Sequence, residues 1–105
     1  METISDSLYQ EIQNATDLLW ADSTQEDKLK ASVQRGMYRI KKWAGNPVLD
    51  FEINGAARQL LIDFCRYDMS GISDQFKTNF SGDITELRLE TEAAAYAEET
   101  ATSIQ

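Results

Sequence analysis

The sequence predicts an all-α fold: a small single-domain helical bundle of four to five helices with a central buried helix. The chain has 105 residues, which is enough for one modest hydrophobic core. Apolar side chains recur at helical spacing along most of it. In the segment 55–69 they cover well over half of the helical circumference, which is too wide for a helix lying on a surface. That segment is therefore predicted to be the central helix.

The first helix is expected near residues 6–19. Its apolar residues repeat at helical spacing: Leu8, Ile12, Ala15 and Leu19. Ser5-Asp6-Ser7 offers side-chain caps at its start, and Ser7 with Gln10 fits a capping box. Trp20 is expected to end the helix.

The second helix is expected near residues 24–44, after a capping box of Ser23 and Glu26. Its stripe is the most regular in the sequence: Leu29, Val33, Met37, Ile40 and Trp43 or Ala44. Gly36 lies beside this stripe and would let a neighbouring helix approach closely. Gly45-Asn46-Pro47 is expected to end the helix.

Short apolar segments surround the central helix. Four large apolar residues in the connection 48–53 predict a core plug in preference to a partner contact: Val48, Leu49, Phe51 and Ile53. A fourth helix is expected near 72–80, where Ile72, Phe76 and Phe80 recur every four residues. We expect a helical domain over 1–90 and a flexible, acidic, Ala-rich tail over 91–105 until a partner binds.

The charges are divided along the chain. Its net charge is −8, yet every charge between residues 28 and 42 is positive: Lys28, Lys30, Arg35, Arg39, Lys41 and Lys42. This asymmetry predicts surfaces of opposite sign, the alternative being ordinary solvated helix faces. Arg58 and Arg66 share one edge of the central helix, and we expect them to pair with Asp50 or Asp63 or to face a neighbouring subunit, with solvent exposure as the alternative.

The composition argues against catalysis. The chain has no histidine, which removes histidine-dependent triads and the usual zinc sites. Its one cysteine, Cys65, lies in the most apolar helix and is predicted to be a buried hydrophobe. No glycine-rich phosphate loop is present, and the acid pairs lie at a cap and in the tail. We therefore expect no enzyme activity, no catalytic residue, no cofactor and no metal.

Two other classes are also disfavoured. The bases of the second helix occupy several angles and lack a pattern for base reading, which disfavours sequence-specific DNA binding. No apolar run is long enough to span a membrane. The acidic N-terminus, METISDSLYQ, lacks the layout of a signal peptide, so we expect the chain to stay in the cytosol that makes it.

Several short elements occur in an order that resembles the head–tail connector proteins of long-tailed bacteriophages and their prophages. They are Leu49-Asp50-Phe51, Gly55-Ala56-Ala57-Arg58, Leu60-Leu61, Cys65-Arg66-Tyr67, Phe76, Asn79-Phe80 and Leu87-x-Leu89-Glu90. The resemblance covers roughly residues 20–90, and its specificity lies in the ordered combination. The sequence departs from the family pattern at 68–71 and at 81–82.

The resemblance implies a structural virion protein. Such connectors are small helical adaptors that assemble as a ring, usually twelvefold, beneath the portal. They extend the DNA channel and present a surface to the next head-completion or tail protein. The implied partners are the portal protein, neighbouring copies, a downstream head-completion or tail protein, and DNA that passes without specific contact. The implied location is the head–tail junction of the virion, after synthesis in the bacterial host cytoplasm.

A ring subunit needs two different complementary faces. Our candidate partner or subunit interface residues are Arg35, Arg39, Lys42, Phe51, Arg58, Arg66, Tyr96 and Ile104. We expect the isolated protein to be monomeric or weakly associated, with the tail docking on the portal through Tyr96 and Ile104. Two alternatives stay open: a helical protein-binding module of another system, and an acidic DNA mimic that inhibits a nucleic-acid enzyme.

Overall fold

The computed structural model describes residues 3–17 and 22–103, with side chains described as far as residue 97. Within these residues the protein is all-α, as predicted, with five α-helices, one 3₁₀ turn and no strand. The helices are α1 (Asp6–Thr16), α2 (Ser23–Ala44), α3 (Gly55–Met69), α4 (Phe76–Asn79) and α5 (Ser81–Ser103), and the 3₁₀ turn is Ser73–Gln75.

Helix α3 is the centre of the bundle, as the width of its apolar surface predicts. It contacts α1, α2, α5 and the 3₁₀ turn. Leu61, Phe64 and Cys65 have no exposed surface. Helix α2 covers α3 with the predicted stripe, and α1 contributes two fully buried residues, Leu8 and Ile12. The predicted central helix and its main packing partner are both confirmed.

Gly36 is the point of closest approach between α2 and α3. A Cβ atom at this position would lie 2.8 Å from the Cδ1 atoms of both Leu61 and Phe64. Carbon atoms in contact are normally separated by about 3.5–4.0 Å, so a side chain at this position would require Leu61 and Phe64 to shift. The close approach predicted from the sequence is confirmed.

Aromatic side chains from α2, α3 and α4, together with Phe80, pack into one cluster. Phe76 lies at its centre, with ring-centroid distances of 4.7 Å to Phe80, 5.3 Å to Phe64, 5.7 Å to Tyr67 and 6.0 Å to Trp43. Since Phe76 has no exposed surface, the short α4 is held mainly by this one side chain. The predicted helix over 72–80 is in fact the 3₁₀ turn followed by the single turn of α4.

The N-terminal caps of α1 and α2 each lie one or two residues before the first residue of the predicted capping box. Ser5, the first of the three predicted cap residues, accepts a hydrogen bond through its hydroxyl from the Leu8 amide at 3.1 Å, so Ser5 and not Ser7 is the N-cap of α1. The Asp22 carboxylate, in place of Ser23, accepts one from the Gln25 amide at 2.9 Å. Both sequences offer adjacent capping residues, and the geometry selects the earlier one.

Helix α1 also ends earlier than predicted. It stops at Thr16 because Asp17 adopts a left-handed conformation with φ of 58°, which closes the last turn. No glycine marks this position, so the sequence carries no strong signal for it. Leu19 and Trp20, where we placed the end, lie outside the described residues.

The connection between α2 and α3 is only partly a core plug. Leu49 and Phe51 are 6% and 2% exposed, whereas Val48 and Ile53 are each 84% exposed. The Asp50 carboxylate accepts hydrogen bonds from the amides of Glu52 and Ile53 at 2.8 and 3.3 Å. In this turn Phe51 is buried, and Glu52 and Ile53 are exposed.

Helix α5 leaves the bundle after its first turns. Ile84 and Leu87 are buried, while every residue from 92 to 97 is exposed. The molecule is elongated, with extents of 56 × 28 × 19 Å and a radius of gyration of 15.3 Å, against about 13 Å for a compact domain of this length. The segment that we expected to be flexible begins within this helix, and its flexibility in solution stays a prediction.

Candidate interaction surfaces

Four of the six bases of α2 lie on one face of the helix. Lys28, Arg35, Arg39 and Lys42 follow one another at intervals of seven, four and three residues, which places them on one side of a 3.6-residue helix. All four are exposed, and so are Ala31 and Tyr38, which lie beside them. We call this surface the basic face: Lys28, Ala31, Arg35, Tyr38, Arg39 and Lys42.

Some bases of the basic face contact other side chains of this chain, and others are exposed to solvent. Arg35 donates a hydrogen bond to the Asp68 carboxylate at the end of α3. The guanidinium carbon of Arg39 lies 5.9 Å from the centre of the Phe64 ring, within range of a cation–π contact. Lys42 is exposed. Asp68 pairs with Arg35 and also interacts electrostatically with Arg39. One carboxylate does not offset the four bases, so the face remains positive.

A second face, on α5, carries the opposite charge. Leu89 and Tyr96 are 57% and 71% exposed, and Ala93 lies between them on the same side of the helix. Glu86 and Glu90 border this apolar strip and are exposed. We call this surface the acidic face: Glu86, Leu89, Glu90, Ala93 and Tyr96. It points away from Ile84 and Leu87, which face the core.

Arg58 is paired, but its partners are not the predicted Asp50. Its Nε atom lies 2.9 Å from the Glu11 carboxylate in α1, and its Nη1 atom lies 3.4 Å from that of Glu52. Glu52 also accepts hydrogen bonds from the Ser5 amide and hydroxyl at 2.7 and 2.8 Å. Arg58 therefore joins three segments of this chain, while Asp50 is used in the turn.

Arg66 pairs with Asp63, as the sequence predicts. Its Nη1 atom lies 2.9 Å from the Asp63 carboxylate, and Gln59 donates a second hydrogen bond to that carboxylate at 3.2 Å. The Asp63 side chain is only 11% exposed, whereas that of Arg66 is 52% exposed. The pair supplies a partner for a nearly buried carboxylate and leaves the guanidinium accessible.

The remaining candidate interface residues have different environments. Phe51 is buried in the core and offers no side-chain surface to a partner. Tyr96 is well exposed on the acidic face. Ile104 lies outside the described residues.

An exposed tyrosine and a groove between α1 and α2 were not predicted from the sequence. Tyr38 is 67% exposed on the basic face, and its position outside the apolar stripe of α2 could have indicated this. A groove of about 600 Å³ lies between the start of α1 and α2, with Ile4, Tyr9 and Val33 in its lining. Burial raises the pKa of Tyr9, and the charges of Glu26 and Asp27 raise it further.

The single cysteine lies in the core, as predicted. Cys65 has no exposed surface, and burial raises the pKa of its thiol to about 12. The thiol therefore stays protonated at neutral pH and is a poor nucleophile. Among the residues that the structure describes, no group of three or more acidic or cysteine side chains is arranged to hold a metal ion.

Comparison with protein-family models, with curated protein sequences and with solved structures finds no match to this chain. None of the helices in the described part of the chain is both long enough and apolar enough to cross a membrane. The architecture defines a small all-α protein with two exposed faces of opposite charge.

Proposed function

We propose that this protein is a head–tail connector of a long-tailed bacteriophage or prophage. In this role it assembles as a ring on the portal, extends the DNA channel toward the tail and belongs to the head–tail junction of the virion. The proposal is of a structural protein without catalytic activity.

The fold supports the resemblance on which this proposal rests. Many of the residues that carry the resemblance build the core: Leu49, Phe51, Ala57, Leu60, Leu61, Cys65, Phe76 and Leu87 are all buried. The shared pattern is therefore a pattern of packing residues, and it specifies a helical bundle around α3. The two departures from the family pattern fall at the end of α3 and at the start of α5.

The observation that carries the proposal is the pair of unlike faces on one small subunit. A closed ring of identical subunits uses a heterologous contact, in which each subunit presents one surface to one neighbour and a different surface to the other. The basic face on α2 and the acidic face on α5 differ in charge and lie on different helices. A further surface, with Val48 and Ile53 both 84% exposed, is available for the portal or the next protein.

The charge of the protein suits a channel that DNA passes through. The net charge is −8, and acidic side chains facing the channel would repel the phosphate backbone. Repulsion of this kind keeps DNA sliding without a specific binding site. The bases, in this proposal, are used between protein subunits.

The experiment is to mix the purified protein with the portal ring encoded in the same genome and to examine the mixture by negative-stain electron microscopy. We expect an added ring coaxial with the portal, with one copy of the protein per portal subunit. The control is the portal alone. An unchanged portal at saturating protein would contradict the proposal, and inhibition of a nucleic-acid enzyme that duplex DNA reverses would favour the DNA mimic.

A further inference from the structure

We infer that the basic face of α2 binds the acidic face of α5 on a second copy of this chain. The inference rests on the proposed function, because it names the surfaces through which neighbouring copies of the ring would meet. The evidence is the charge of the two faces, the arrangement of their apolar side chains and the exposure of residues 92–97 of α5.

The two faces are complementary in charge. Arg39 and Lys42 are exposed on one face, and Glu86 and Glu90 are exposed on the other. Neither face can bind its own kind, since like charges would be brought together. A contact between copies must therefore join unlike faces, which leaves one basic and one acidic face free at the ends of any open chain of subunits.

The apolar side chains of the two faces have the same spacing. Ala31 and Tyr38 are seven residues apart on α2, and Leu89 and Tyr96 are seven residues apart on α5. Seven residues are two helical turns, or about 10 Å. Two helices with matching apolar positions can pack side by side over those turns, with Ala93 allowing close approach and the charged residues at the edges.

Nothing in the described part of the chain covers the outer part of α5. Residues 92–97 are all exposed, and Tyr96 alone is 71% exposed. A projecting helix with two large apolar groups on one side is typical of a segment that packs against another molecule. The charge of the bordering glutamates selects a basic partner surface, and the basic face of α2 is the one that each neighbouring copy carries.

The test is a charge swap with rescue, read by sedimentation velocity at low salt and by ring formation on the portal. The first variant carries R39E and K42E, and the second carries E86K and E90K. Each alone places like charges in the contact and is expected to abolish ring formation on the portal, together with any weak association between isolated copies. A chain carrying all four substitutions restores opposite charges and is expected to recover association.

A matched control separates this contact from a general effect of net charge. K30E with K77E changes the net charge by the same amount as R39E with K42E, but both residues lie outside the basic face. This control is expected to associate like the unmodified protein. Circular dichroism melting curves verify that each variant is folded.

The outcomes distinguish this inference from the proposed function. Rings that form on the portal equally well with either two-residue variant would overturn the inference and leave the connector proposal standing. Loss of portal binding with unchanged association between copies would also overturn it. The substituted face would then bind the portal and not a neighbouring copy. Absence of any ring with the unmodified protein would contradict both.

Discussion

Arg35 of α2 forms an ion pair with Asp68 in the last turn of α3. The carboxylate is the more buried partner, since its side chain is 12% exposed against 49% for Arg35. Burial alone would raise the pKa of Asp68, but hydrogen bonding from Arg35 and the nearby positive charges outweigh it and hold that pKa below its usual value. The pair links the two helices that form most of the core.

This pair predicts a dependence of stability on pH. A carboxyl group whose pKa is lower in the folded state stabilises the fold above the pKa of the unfolded chain, about 3.9, and that contribution is lost as the pH falls through the folded value. Asp68→Asn should reduce the free energy of unfolding by about 1 kcal/mol at pH 7. In urea unfolding, the difference from the unmodified protein should shrink below pH 4. Asp74→Asn, at an exposed position, is the control, and a difference independent of pH would contradict the prediction.

Gly36→Ala should destabilise the protein although alanine favours helices. The gain in helix propensity is at most about 1 kcal/mol, whereas forcing a methyl group against Leu61 and Phe64 costs about 1–3 kcal/mol. We expect a lower melting temperature. Gly82→Ala is the matched control, because a Cβ atom there meets nothing within 4 Å. A rise in stability for Gly36→Ala would show that α2 and α3 are less closely packed than the structure indicates.

Leu61→Ala tests the central position of α3. Leu61 has no exposed surface, so its truncation should cost about 2–5 kcal/mol through lost burial and the cavity left behind. The measurement is the free energy of unfolding in urea. Leu89→Ala is the comparison at a position 57% exposed, where a change within about 0.5 kcal/mol is expected. Equal effects at the two positions would be inconsistent with a buried Leu61.

Cys65 should be protected from thiol reagents in the folded protein. Its thiol is buried and has a pKa of about 12, so neither access nor thiolate formation favours reaction at pH 8. A disulfide reagent should label it only after addition of denaturant, with one thiol released per chain. Rapid labelling without denaturant would place Cys65 at an accessible surface.

Deletion of residues 92–105 should leave the thermal stability of the isolated protein nearly unchanged. The side chains described in this segment, residues 92–97, are exposed and add nothing to the core. The same deletion removes Tyr96 and should weaken assembly on the portal. Differential scanning calorimetry measures the first effect and co-sedimentation with the portal the second. If the shortened chain bound the portal as strongly as the full chain, the segment would not be needed for assembly.

The sequence predicts the interior of this protein better than its surfaces. The stripe of α2, the buried α3 and the role of Gly36 follow from spacing and residue size, which are properties of nearby residues. The end of α1 does not, because Asp17 takes a left-handed conformation without a glycine to indicate it. The partners of Arg58 do not either, since Glu11 is 47 residues away along the chain and meets it only through the packing of α1 on α3.

Several features of the surface also depend on packing that the sequence does not indicate. The bases of α2 lie on more than one side of the helix, as predicted, but the grouping of Lys28, Arg35, Arg39 and Lys42 on one exposed face was not predicted. The exposure of Leu89 and Tyr96 depends on where α5 leaves the bundle, which no local pattern indicates. Phe51 and Ile53 are both large apolar residues of the same short connection, yet Phe51 is buried and Ile53 is 84% exposed after the Asp50 turn.

The projection of α5 also gives the molecule an uneven distribution of local stability. Backbone amides in the buried middle of α3 are expected to exchange with solvent only on global unfolding, whereas those of residues 92–97, whose side chains are exposed, should open in local fluctuations. The surface that we assign to a neighbouring copy therefore includes the segment of the described chain with the least support of its own. Binding of a neighbouring copy would slow amide exchange mainly in residues 92–97. The gain in order at each contact would be confined to this end of α5, and the bundle would not change.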